Sequence, residues 1–221
     1  MDQVTLVVFV LILTAAAAGF FRVKSLQPAV LRFFPYFLLV QFGYQYFSIV
    51  YSFILTSNES NHIVFNIFMI FNIVYFSLLF HGVITSRRKR AVIAATSVAN
   101  VLFYAANFIF LQGGAYLMTY SRTLMGVLIV VYCLMYFHQL VASEETNVEN
   151  PTRNATFWII TALFFFYLCS TLTISLWNYL SFGDDQHIGP TMMRVFAFLL
   201  YGMYLAGFLM HRPVRRTPNE L

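Results

Sequence analysis

The feature that most constrains this chain is a succession of seven apolar windows, each about as long as a bilayer is thick, separated by short polar connections. The windows run over 4–21, 33–55, 63–85, 91–111, 116–141, 157–182 and 192–211. Hydrocarbon offers no partner for backbone N–H and C=O groups, so segments of this length are satisfied there only as helices. A membrane β-barrel would instead read as shorter segments of alternating polarity. The expected fold is therefore all-α: a polytopic seven-transmembrane-helix bundle forming a single domain over 1–221. Composition agrees, since 60% of residues are hydrophobic, 10% are charged and the mean hydropathy is +0.75. A soluble domain would carry roughly a quarter of its residues charged. All 6 prolines fall in connections or in the first turn of a window, where a missing N–H is harmless.

Basic residues predict the orientation. Arg22, Lys24, Arg32, Arg87, Arg88, Lys89, Arg90, Arg153, Arg212, Arg215 and Arg216 fall in the connections after windows one, three and five and in the tail. The opposite side has only Arg122 and Arg194. Retention of Lys and Arg in the cytoplasm then places the amino terminus outside and the carboxyl terminus inside. The net charge of +5 is accounted for by topology, so acidic lipid headgroups rather than nucleic acid are the expected partners. Met1, Asp2 and Gln3 lead straight into apolar residues without a basic region, so the first helix is expected to be retained rather than cleaved. Cys133 and Cys169 lie within windows and read as packing residues. Small residues four apart, Ala91, Ala95 and Ala99 in window four and Gly202 with Ala206 in window seven, permit close backbone approach. Helix four is accordingly expected to be the most enclosed.

Several chemistries are disfavoured. No Asp, Glu or Lys stands in the middle of a window, where proton pumps and most ion-coupled carriers place an ionisable group. Window seven has no lysine to form a retinal Schiff base. Three histidines, His81, His138 and His211, fall at the cytoplasmic ends of helices three, five and seven, and three such nitrogens would make an open zinc site. No histidine pair at i, i+4 and no fixed carboxylate accompanies them, so interfacial anchoring is the expected role and no cofactor is expected. Ser170, Thr171, Thr173 and Ser175 have no neighbouring base to make a nucleophile and read as interhelical hydrogen-bonding groups.

Neutral polar stripes at helical spacing remain. Window two carries Gln41, Gln45, Ser48 and Ser52; window four carries Ser97, Asn100, Tyr104 and Asn107. Window six carries Tyr167, Thr171, Ser175 and Asn178, and Asn66 and Asn72 lie on window three. Amides in hydrocarbon are costly unless paired, so these faces are expected to point inward. Two explanations stand: the amides cross-link a dry bundle, or they line a hydrated pocket open to the outside. Arg122 and Arg194, about one turn inside the outer ends of helices five and seven, belong to the second reading. The candidate ligand-binding set is Arg122, Arg194, Gln41, Gln45, Asn72, Asn100, Asn107 and Asn178. Both arginines are expected to face inward, within reach of Asn178, Asn107, Asp184 or Asp185.

The segment Asn150-Pro151, followed by Phe157-Trp158-Ile159-Ile160 and Phe166-Tyr167, with 132–140 before it, resembles small bacterial seven-helix proteins associated with membrane sensor modules. That resemblance implies a signalling role in a bacterial cytoplasmic membrane and carries over no site residue. The function expected first is a receptor-like or sensory module that binds a small ligand outside and signals to a cytoplasmic partner, which would dock on Arg87–Arg90 and the acidic Glu144, Glu145 and Glu149. The alternative is a facilitator or transporter of a small neutral or weakly anionic solute. An enzyme ranks third.

Overall fold

A computed structural model describes residues 3–51, 62–113, 117–142, 151–180 and 188–211, leaving the side chains of 176–180 and 188–190 outside the description. Among the described residues the chain is entirely helical. The helices are α1 (Gln3–Arg22), α2 (Phe34–Val50), α3 (His62–Val83), α4 (Arg87–Ala106), α5 (Thr119–Ala142), α6 (Ala155–Leu180) and α7 (Ile188–Met210). Short 3-10 turns cover Ala29–Phe33 and Pro151–Arg153, and a π-helical turn, Asn107–Leu111, extends α4. Six helices, all but α2, are long and apolar enough to cross a membrane. The 17 described residues of α2 rise about 26 Å, slightly less than a bilayer core, and positions 52–55 of the second window lie outside the described residues. The outward faces are apolar: Leu6, Val10, Ile67, Leu78, Leu102, Ile109, Leu172 and Leu199 are all exposed. A surface of this kind suits lipid and would be an aggregation hazard in water.

The helices follow one another around the bundle in chain order, and α1 closes the circle against α7. The thinnest seam lies between α2 and α3, where stacked rings bridge the helices: Tyr44 on Phe68 at 3.8 Å and Phe37 on Tyr75 at 4.0 Å. Helix α4 departs from expectation. Only 22% of its spanning window is buried, the smallest share of the six, and its main neighbours are α3 and α5. Ala91, Ala95 and Ala99 are exposed, so this stripe of small residues marks a lipid-facing edge rather than a close crossing. Close crossings occur instead at glycines. A Cβ on Gly207 of α7 would stand 2.6 Å from Trp158 Cβ of α6, and one on Gly19 of α1 would stand 2.7 Å from Pro35 Cγ of α2. Gly202, by contrast, has nothing within 4 Å of its Cβ position.

The two ends of the bundle are built differently. At the lower end α1, α3, α5 and α7 finish and α2, α4 and α6 begin. Leu26, Leu31, Phe34, Leu79, Phe80, Ile84, Ile93, Ala155 and Phe208 are buried there with 0 to 1% exposure. Hydrogen bonds tie the connections together at this end. Thr156 Oγ1 donates to Gln27 O at 3.2 Å, Thr85 N donates to Gln139 Oε1 at 2.9 Å, and Lys89 Nζ donates to Met135 O at 3.3 Å. His211, just past α7, accepts from Ala155 N at Nδ1 (3.4 Å) and reaches Ser25 O through Nε2 (3.2 Å). One neutral tautomer, with the proton on Nε2, meets both contacts and joins the ends of α1 and α7 to the start of α6. The upper end, where α1, α3, α5 and α7 begin, encloses the cavity described next.

Candidate ligand-binding cavity

A cavity of about 420 Å³ occupies the upper half of the bundle, within the size range of small-molecule sites. Every helix except α4 contributes to its wall. Helix α2 presents Gln41, Tyr44, Gln45 and Ser48 at helical spacing, and α3 presents Asn66, Met69, Asn72 and Phe76. Arg122 and Met125 come from α5, and Tyr167, Ser170 and Thr171 from α6. Arg194, Tyr201 and Tyr204 come from α7, and Val8 and Phe9 of α1 close the apolar side. The cavity ends on an aromatic floor of Phe37, Phe76 and Tyr204. Beneath it Phe34 meets Tyr204 edge to face at 4.9 Å, and Phe34, Leu38, Leu79, Phe80 and Phe208 are fully buried.

The wall is polar on one side and cationic near the top. Gln45 Nε2 donates to the Tyr201 hydroxyl at 3.0 Å, and Gln41 also hydrogen-bonds that hydroxyl. This pairing satisfies a phenol that would otherwise be buried without a partner. The guanidinium of Arg122 lies among the phenol groups of Tyr44 and Tyr167, its electrostatic neighbours. All eight Asp and Glu residues fall outside the described residues, so no carboxylate stands beside Arg122 among the described residues. A guanidinium stays charged under all ordinary conditions, and placing it in a low-dielectric wall costs several kcal/mol unless dipoles or an anion offset it. Arg194 is more exposed and sits nearer the top of the same cavity.

Five of the eight candidate residues, Arg122, Arg194, Gln41, Gln45 and Asn72, therefore line one cavity. Asn100 and Asn107 do not. Asn107 Nδ2 donates to Ser121 Oγ at 2.7 Å and to Gln112 Oε1 at 3.0 Å, tying the π turn to the start of α5. Gln112 Nε2 extends the link to Thr119 Oγ1 at 2.9 Å. Asn100, 3% exposed, borders a separate water-sized void between α3, α4 and α5 and has no hydrogen-bond partner for its Oδ1. The rest of the α4 stripe is also interhelical bonding: Ser97 and Thr96 meet the Tyr132 hydroxyl, and the Tyr104 hydroxyl donates to Asn66 O at 2.9 Å. The two readings of the polar stripes thus divide by helix, with α4 turned mainly to interhelical hydrogen bonds and α2 facing the cavity. Both arginines point inward, but not toward Asn107; the side chain of Asn178 and the residues Asp184 and Asp185 lie outside the described residues.

The histidines are dispersed in role. His81 and His138 are exposed, with Lys89 Nζ 3.2 Å from His138 Nδ1, while His211 is held by backbone groups. Among the described residues no three His, Cys, Asp or Glu side chains are grouped to hold a metal. Cys133 is buried between α5 and α6, its thiol 3.6 Å from Ile160 O. Tyr44, Tyr201 and Tyr204 were not among the candidates, although a tyrosine deep in an apolar window needs a partner for its hydroxyl and so signals a polar interior. Comparison of the chain with known protein families, curated proteins and solved structures finds no match.

Proposed function

We propose that this chain is a receptor-like membrane module. In this reading it crosses the bilayer seven times, and its amino terminus is outside. It binds a small ligand in the upper cavity and passes the resulting shift in helix packing to a cytoplasmic partner. The observation that carries the reading is the cavity itself: six helices converge on it, polar and cationic groups line it, and it ends on a packed aromatic floor. Among the described residues, Arg22, Lys24, Arg32, Arg87, Arg88, Lys89, Arg90 and Arg153 lie at the lower end, and this asymmetry supports the orientation. The aromatic floor supports binding over passage, since a solute path would have to part rings buried on every side. The resemblance to bacterial sensor-associated proteins supports a place in the cytoplasmic membrane.

Ligand-dependent thermal stabilisation of the protein in lipid nanodiscs, screened over a metabolite library, tests the reading. At least one compound class is expected to raise the melting temperature, and Gln45→Leu is expected to weaken that response with little change in the unliganded protein. A flat response across the library would sink the proposal. Uptake of the stabilising compound into proteoliposomes would replace the receptor with the transporter.

A further inference from the structure

We infer that the cavity takes a hydrophobic monocarboxylate, with its carboxylate on Arg122 and its apolar body on the aromatic floor. This rests on the reading of the cavity as a ligand site and adds the chemical class of the ligand. The charge inventory argues for an anion: arginines are the only charged groups in the described wall. Arg122 is flanked by the phenols of Tyr44 and Tyr167, with no carboxylate beside it among the described residues. A planar guanidinium presents parallel N–H groups that match the two oxygens of a carboxylate, and phenol hydroxyls add neutral donors to the same anion. Charge balance argues for a single negative charge. At the depth of Tyr44 and Tyr167 the described wall holds a single guanidinium, Arg122, which matches a monoanion. A phosphate dianion there would find its second countercharge only in Arg194 at the exposed top. Arg194, the other cation, stands toward the exposed top, where it steers anions inward. Below the arginine one side of the wall is apolar and aromatic, ending on Phe37 and Phe76, while Gln41 and Asn72 keep the other side polar. The apolar side suits an aryl or acyl chain.

Isothermal titration of the protein in nanodiscs with ω-phenylalkyl carboxylates, the matching primary amides and the matching alkyl phosphates tests the class. The carboxylate is expected to bind about ten-fold or more tightly than its amide, the ratio that one charge-assisted contact confers. In Arg122→Gln this preference is expected to collapse to within about two-fold while amide binding persists; Arg122→Lys keeps a reduced preference. Persistence of amide binding in Arg122→Gln also shows that the variant is folded. If amide and carboxylate bind the unmodified protein equally, or if the phosphate binds more tightly than the carboxylate, the ligand class is wrong while the cavity still stands as a site. If a preference for carboxylate survives Arg122→Gln unchanged, the assignment to Arg122 is wrong. If no member of any series binds, the receptor reading itself loses its support, and the inference falls with it.

Discussion

Two glycines on α7, five residues apart, should respond in opposite ways to the same substitution. A Cβ on Gly207 would lie 2.6 Å from Trp158 Cβ and 3.5 Å from Ala155 O. The obstructing atom is a Cβ fixed to the α6 backbone rather than the far end of a flexible side chain. Relief therefore requires the two helices to part by about 0.8 Å, from 2.6 Å to the 3.4 Å at which ordinary contact begins. Overpacking of this kind costs about 1–3 kcal/mol, and the better helix propensity of alanine returns up to about 1 kcal/mol. Gly207→Ala should thus lose roughly 1–2 kcal/mol, a fall in melting temperature of about 2–8 °C for a chain of this size. Gly202 has nothing within 4 Å of its Cβ position, so Gly202→Ala should be neutral or slightly stabilising. A thiol-reactive dye gives the readout in a Cys169→Ala background, because Cys133 is fully buried and becomes accessible when the bundle opens, whereas Cys169 is already partly exposed. If Gly207→Ala melts at or above the temperature of Gly202→Ala, the α6–α7 crossing does not close on Gly207 and the packing argument fails.

Other consequences can be checked with the same preparation. Burial holds the His211 imidazole below its ordinary pKa; the contact with the Ser25 carbonyl opposes this, and the positive charge on Arg22 adds a smaller push in the same direction as burial. The folded state therefore disfavours protonation, so stability should be level above about pH 6.5 and decline as the pH falls below it. A melting temperature that rises on acidification to pH 5.5, or declines to the same extent in His211→Phe, would contradict this role. Asn107→Leu should cost about 1–3 kcal/mol by leaving Ser121 and Gln112 short of a partner, yet leave ligand response in nanodiscs intact; loss of response at unchanged stability would place Asn107 in the site after all. Tyr104→Phe should cost about 1 kcal/mol through its lost bond to Asn66 O, measured by the same dye, and an unchanged melting temperature would show that bond to be worthless.

Helix number and position were legible because the solvent enforces them. A stretch that must satisfy its own backbone in hydrocarbon has one solution, and charges or turn residues end it. Windows 63–85 and 157–182 accordingly correspond to His62–Val83 and Ala155–Leu180. Where α4 begins was less legible, because Arg87 to Arg90 look like a connection yet form its first turn. Long basic side chains extend past a helix end into the headgroup region, so a helix can start among charges that a hydropathy window excludes. Helical spacing also grouped Gln41 with Gln45 and Asn100 with Tyr104 correctly on single faces. It carried no information about neighbours. The α4 stripe has the same chemistry as the α2 stripe, but α4 lies at the edge of the bundle and most of its polar atoms are taken up by Tyr132, Asn66 and Ser121, the Oδ1 atoms of Asn100 and Asn107 excepted. Whether an amide bonds a neighbouring helix or faces a cavity depends on which helices enclose it, and that is a property of the whole arrangement.

The same dependence on arrangement explains why the cavity lies where it does. Tight glycine contacts at Gly19, Gly82 and Gly207 fall toward the lower end, where a Cβ would meet Pro35, Val30 or Trp158 at 2.6 to 2.7 Å, while in the upper half Gly126 of α5 closes on Thr171 of α6. Helices drawn together at one end leave room at the other unless large side chains fill it. In the upper half the inward residues include Gln41, Gln45, Asn72 and Arg122, whose polar atoms do not interdigitate as apolar side chains do and need partners of their own. The base is thus closely packed and tied by backbone-directed bonds such as those of His211, while the upper half keeps polar groups facing a shared space. In the receptor reading, a ligand that bridges Arg122 and the aromatic floor would draw the top of α5 toward α2, α3 and α7. Tilting as a rigid rod about that floor, α5 would move its lower end against the connection bonded to it through Thr85 and Lys89.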